Sequence, residues 1–132
     1  MGVTVLDAGV IIGLLDRDDA HHAAALAAVR AARDDANLLV LPASAYAEVL
    51  VAPYRRDPDA VATVDNLLDE LPVRVIPIDR RIANRAARVR AEHGTLRLPD
   101  ALVIGTAAEL AADRLITTDR GWPSIDLAIE II

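Results

Sequence analysis

Apolar positions along the chain fall into short β-branched runs separated by longer stretches of helical period. Val3-Thr4-Val5-Leu6 reads as a buried strand, and Ala8 to Leu15 follows as a helix. Asp16 to Asp19 form a polar break before an alanine-rich helix from about Ala20 to Arg33. Asn37 opens a second strand, Leu38 to Leu41, and Pro42 suits the first turn of a helix running to about Ala52. Asp57-Pro58 repeats that signal, and Val61, Val64, Leu68 and Leu71 continue at helical spacing. Val73 to Ile78 is a third strand, with Pro77 marking its end or an edge position. Asp79 suits the N-cap of a helix whose Ile82, Ala86 and Val89 share one face, and Gly94 suits its stop. Pro99-Asp100 starts a nearly all-apolar, hence buried, helix to about Ala112, before strands at Leu115 to Thr117 and Leu127 to Ile132. Pairs of helices between successive strands predict an α/β fold whose mostly parallel sheet is covered on both faces, formed by residues 1–132 as one domain.

Composition narrows the chemistry. The 132 residues contain no cysteine, which removes thiolate metal sites and cysteine nucleophiles, and all 14 basic residues are arginine, which removes any lysine-based phosphate loop, Schiff base or general base. Trp122, Tyr46 and Tyr54 are the only aromatic residues, too few for a base-stacking platform. The longest apolar run, Val3 to Leu15, is interrupted by Asp7, is too short to span a bilayer and follows no basic region, so the expected setting is cytoplasmic with no membrane contact. A net charge of −6 argues against nonspecific adhesion to nucleic acid, while leaving room for a local basic surface.

Four acidic residues stand where packing alone would not put them. Asp7 ends the first apolar run, at the strand end where open parallel sheets place ligands, although an N-cap explains it equally well. Glu48 lies in Ala43 to Val51, a helix apolar on almost every side, where a charge is costly unless paired or facing a cleft. Asp100 opens the buried late helix, where capping is the alternative; Asp119 follows Thr117-Thr118 beyond the fourth strand, where a turn is the alternative. Two acids thus lie just past parallel strand ends, and two lie on helices expected to cover those ends. Clustered carboxylates repel unless a cation offsets them, and Mg²⁺ or Mn²⁺ suits oxygen ligands while retaining waters able to attack phosphorus.

Leu6-Asp7-Ala8, Tyr46-Ala47-Glu48-Val49, Leu98-Pro99-Asp100-Ala101 and Ile116-Thr117-Thr118-Asp119, in this order and spacing, resemble the motifs of PIN-domain ribonucleases, specifically VapC-type toxins of bacterial toxin-antitoxin pairs. The resemblance covers essentially the whole chain. It implies a PIN-like three-layer α/β/α sandwich and an Mg²⁺- or Mn²⁺-dependent endoribonuclease that leaves 5′-phosphate and 3′-hydroxyl ends. It further implies catalytic roles for Asp7, Glu48, Asp100 and Asp119. Asp7, Asp100 and Asp119 would form the metal site, Glu48 would hold or deprotonate the attacking water, and Thr117 would be the supporting hydroxyl. The partners implied are an RNA substrate, a cognate antitoxin and a second copy in a homodimer, with operator DNA reached only through the antitoxin. Gly9 departs from the pattern, standing where many relatives carry a hydroxyl or amide side chain.

Other residues have simpler readings. Arg80, Arg81, Arg85, Arg88, Arg90 and Arg97 form a local basic excess, with Arg81, Arg85 and Arg88 on one helix face that suits either solvent or an RNA backbone. His21 and His22 diverge around a helix and do not suit one metal, and His93 sits at a helix C-terminus. Ser44 lacks a nucleophile-elbow context, Gly9 and Gly13 make no dinucleotide fingerprint, and Trp122 is expected to pack the loop after Asp119. A noncatalytic PIN-like module that binds RNA or protein is the alternative reading; a receiver-like phosphoacceptor domain would need a lysine the chain does not have.

Overall fold

The computed structural model describes residues 2–132. β1 (Val3–Leu6) leads into α1 (Ala8–Leu15) and α2 (His22–Asp34), and β2 (Leu38–Pro42) into α3 (Ala43–Arg56) and α4 (Ala60–Glu70). β3 (Val73–Ile76) precedes α5 (Arg80–Glu92) and α6 (Leu98–Glu109), after which β4 (Arg114–Thr117) and β5 (Ile129–Ile131) complete a five-stranded sheet. Every strand pair is parallel, and the order is β3-β2-β1-β4-β5. The expected sequence of elements is therefore present, with the sheet wholly rather than mostly parallel and sandwiched between helices.

Boundaries shift where local chemistry decides them. Pro42 pairs with Ile76 as the last residue of β2 instead of entering the helix. α3 continues through Pro53 to Arg56, because the proline removes one internal hydrogen bond in a last turn that is already largely exposed. Asp79 caps α5 as anticipated, its carboxylate accepting from Ile82 N at 2.9 Å.

The core is one continuous cluster in which Val5, Leu6, Leu41, Leu115 and Ile116 of the sheet meet Val10, Ile11, Val29, Val103 and Ile104 of the helices. α6 is almost entirely enclosed, and its Gly105 lies against α5 so closely that a Cβ there would fall 2.9 Å from Ala86 N and 3.0 Å from Ile82 O. Burying such apolar side chains contributes roughly 1.5–3 kcal/mol each against chain entropy.

The strand order positions the site. From β1 the chain builds outward through β2 and β3, then crosses to the other side of β1 to lay down β4 and β5. Connections leave β1 and β4 in opposite directions, which opens a crevice at the carboxyl ends of these two neighbouring strands.

Candidate active site

Asp7 is the first residue after β1, at the mouth of that crevice, and only 8% of its surface is exposed. Its backbone N–H donates to Ile116 O on β4 at 3.0 Å, extending the strand pairing by one step. Its carboxylate is held on both sides: Ala8 N donates to Oδ1 at 2.8 Å, and the fully buried Thr117 hydroxyl donates to Oδ2 at 2.8 Å. The N-cap role is thus real, but it uses one oxygen and leaves the other to Thr117. Thr117 Oγ1 in turn accepts from Asp119 N at 3.1 Å, and Asp119 Oδ1 accepts from Gly121 N at 2.7 Å, which makes a turn that presents Asp119 beside Asp7.

Asp100 reaches the site from the first turn of α6. It does not cap that helix: Arg97 occupies the N-cap position without a side-chain cap bond, and Asp100 pairs with Arg97 at 3.7 Å. The indole of the buried Trp122 also lowers the Asp100 pKa, although Nε1 itself makes no hydrogen bond of normal geometry. Glu48 comes from the second turn of α3. It is exposed on a stripe of α3 that borders the open end of the crevice, which is the cleft-facing placement that makes a charge on this apolar helix tolerable.

Electrostatics tie the four acids together. Burial raises the Asp7 pKa above its ordinary 3.8, against the hydrogen bonds from Thr117 and Ala8, and the charges of Asp100 and Asp119 raise it further. Glu48 is raised by partial desolvation and by Asp7 and Asp100, with Arg97 opposing. Asp100 is likewise raised by desolvation, with Arg97 lowering it and Asp119 raising it. The fold therefore concentrates negative charge at one crevice, with the exposed Arg97 as the nearby cation. An oxygen-only donor set under mutual repulsion is the environment a hard divalent cation fits. Among the described residues, no three such side chains stand close enough to share an ion directly. Mg²⁺ needs only one or two direct carboxylates and completes its shell with water, so the donor set still suits it.

The remaining candidates separate from this centre. His22 Nδ1 lies 2.8 Å from Gly13 O, and His21 Nδ1 lies 3.3 Å from Asp19 Oδ1, each in local contacts of the α1–α2 connection. The space that a side chain on Gly9 would need is taken by Thr118, whose hydroxyl lies 2.1 Å from the place of a Cβ. One participant escaped sequence reasoning. Arg97 was visible only as one of many arginines, and its i,i+3 spacing to Asp100 is the signal that could have singled it out. Ser44, one turn before Glu48, keeps a buried hydroxyl without a hydrogen-bond partner.

The PIN domain family model matches residues 4–127, a span that includes all four acids. The chain belongs to the PIN-domain family. No curated protein matches it in sequence. Solved structures similar to this PIN domain include VapBC2 from Rickettsia felis bound to a promoter DNA fragment, at 13% identity and TM-score 0.79, covering 98% of each chain. A toxin-antitoxin complex from Klebsiella pneumoniae aligns at 23% identity and TM-score 0.67, over 89% of this chain and 88% of that one. VapC20 from Mycobacterium tuberculosis, described as a Sarcin-Ricin loop cleaving toxin, aligns at 14% identity and TM-score 0.66, over 85% of this chain and 86% of its own. At these identities the structural likeness establishes the shared fold.

Proposed function

We propose that this PIN domain is a metal-dependent endoribonuclease and the toxin of a type II toxin-antitoxin pair. The observation that carries the reading is the buried Asp7 carboxylate, fixed by Thr117 and Ala8 at the strand switch point and facing the charges of Asp100, Asp119 and Glu48. A fold that only needed packing would not keep a desolvated carboxylate there, because its charged form is penalised.

In this reading Asp7, Asp100 and Asp119 hold Mg²⁺ or Mn²⁺, directly or through water. When bound, the cation neutralises phosphate charge and lowers the pKa of water. Thr117 keeps Asp7 in one rotamer with one oxygen satisfied. Exposed at the rim, Glu48 accepts the proton of the attacking water, and its raised pKa brings it nearer to that task. Water adds to phosphorus as the 3′ oxygen leaves with a proton, giving 5′-phosphate and 3′-hydroxyl ends. Arg97, while paired with Asp100, stays exposed and able to turn towards a phosphate.

An antitoxin and a second copy of the chain are the proposed protein partners, with operator DNA reached through the antitoxin. Ile12, Val51, Tyr54 and Leu98 are large apolar side chains left exposed, which supplies contact surface for such partners. Among the described residues, no helix is long and apolar enough to cross a membrane.

The test is incubation of total cellular RNA with partner-free protein in Mg²⁺ or Mn²⁺ and in chelator, with mapping of new ends. Discrete, chelator-sensitive cuts that are lost in Asp7→Asn and Glu48→Gln are the expected result. Folded wild-type protein that produces no cuts would instead favour a PIN-like module that binds RNA or protein without cleaving it.

A further inference from the structure

The chain is acidic overall, yet one face of it is the reverse. Arg80, Arg81, Asn84, Arg85 and Arg88 of α5, with Glu109 at the end of α6, line an open trough of about 490 Å³. Arg81, Arg85 and Arg88 follow i, i+4, i+7 spacing, so their side chains form one ridge about two turns long. Glu109 is largely buried and holds two of them, with Arg81 Nε at 2.7 Å from Oε1 and Arg85 Nε bonded to Oε2. This single carboxylate fixes the two guanidiniums through one nitrogen each and leaves their remaining N–H groups exposed. Arg80 and Arg88 make no ion pair among the described residues. Four guanidiniums against one carboxylate leave the trough strongly positive in a protein whose net charge is −6.

The trough also has a fixed relation to the acidic crevice. α6 carries Asp100 in its first turn and Glu109 as its last residue, nine positions or about 13.5 Å apart along the axis. The short 93–97 connection brings the end of α5 back to the start of α6, so the arginine ridge leads from Glu109 towards Arg97 and Asp100. About four phosphates of a stacked strand, at 3.4 Å each, span that distance.

We propose that the α5–α6 trough is a second RNA-binding site, which grips the phosphodiester backbone several nucleotides from the scissile bond. Arginine forks at fixed positions suit phosphate oxygens, and an open trough suits a passing polymer. The acidic crevice repels RNA until cations offset it, so a separate basic surface lets the chain capture its substrate despite its own charge. The site deepens the ribonuclease reading, but its binding can be measured without cleavage.

The experiment measures fluorescence anisotropy of a labelled 20-nucleotide single-stranded RNA in chelator, across a salt series, alongside cleavage of the same RNA in Mg²⁺ and Mn²⁺. Wild type is compared with Arg80→Glu/Arg88→Glu and with Arg30→Glu/Arg33→Glu, which makes the same change in net charge on α2. Loss of two phosphate contacts reduces the slope of log affinity against log salt by about 1.4 and weakens binding by about tenfold or more at low salt, in the α5 variant alone. Equal weakening in both variants would reduce the effect to net charge and overturn the site, as would unchanged binding in the α5 variant or no RNA binding by wild type. RNA bound through α5 with no cleavage by wild type would leave the trough standing while the nuclease reading fell.

Discussion

Removal of one oxygen tests the site most directly. Thr117→Val preserves shape but deletes both the donor to Asp7 Oδ2 and the acceptor for Asp119 N. Thr117 is fully buried, so water does not replace the lost hydroxyl. A hydrogen bond to a buried charged group is worth about 1.5–3 kcal/mol, and the neutral backbone contact adds about 1 kcal/mol or less. Asp7 can relieve part of the loss by holding a proton, so the expected destabilisation is about 2–3 kcal/mol at pH 7. At about 2.1 cal/mol/K of unfolding entropy per residue, this chain loses about 3–4 °C of Tm per kcal/mol, hence about 7–11 °C in total. Thr117→Ser is the control, because it keeps the oxygen and loses only a buried methyl, worth about 1 kcal/mol. Thermal melts at pH 7 and pH 4 separate the causes: the gap between the valine and serine variants should narrow at pH 4, where Asp7 is increasingly protonated and the bond loses its charge. Equal stability of the two variants at pH 7, or a gap that does not depend on pH, would refute the claim that the hydroxyl serves the Asp7 carboxylate.

Asp7→Asn should melt higher than wild type at pH 7 in chelator. A carboxyl whose folded pKa is raised contributes stability below its unfolded value of 3.8 and loses it as pH rises through the folded value, so the amide's advantage should fade towards pH 4. Added Mg²⁺ should close the gap at pH 7 by stabilising wild type alone, and a melting temperature for Asp7→Asn below that of wild type in chelator would count against a strained, desolvated charge. Gly105→Ala should cost about 1–3 kcal/mol in urea unfolding, because the new methyl meets Ala86 and Ile82 backbone atoms that cannot turn away; a neutral result would mean that α5 and α6 pack less closely.

Much of this site was legible because charge in an apolar run is conspicuous. Asp7 broke the first strand-to-helix run, and Asp119 followed a strand, so both could be placed at strand ends before any contact was known. The parallel sheet followed from paired helices between strands, but its order did not, since nothing local tells β4 to dock beside β1. Glu48 stands out because its helix neighbours are apolar, but only the packed structure decides that it faces a cleft and not a pairing partner. For Asp100 capping was the alternative to a site role, and it fails because the helix begins two residues earlier and leaves the carboxylate to Arg97. The Thr117 bond to Asp7 joins residues 110 positions apart, a contact that no short-range pattern encodes.

That last contact ties the chemistry to the timing of synthesis. A ribosome-bound chain that has emerged through α6 already carries Asp7, Glu48 and Asp100, but the β1 edge that receives Thr117 is still bare. Closing so long a loop carries its entropy cost before any reward, so the first and fourth strands meet late. A truncated or half-made chain therefore lacks the hydroxyl that fixes Asp7 and the turn that presents Asp119. The acidic centre comes into being only with the finished sheet.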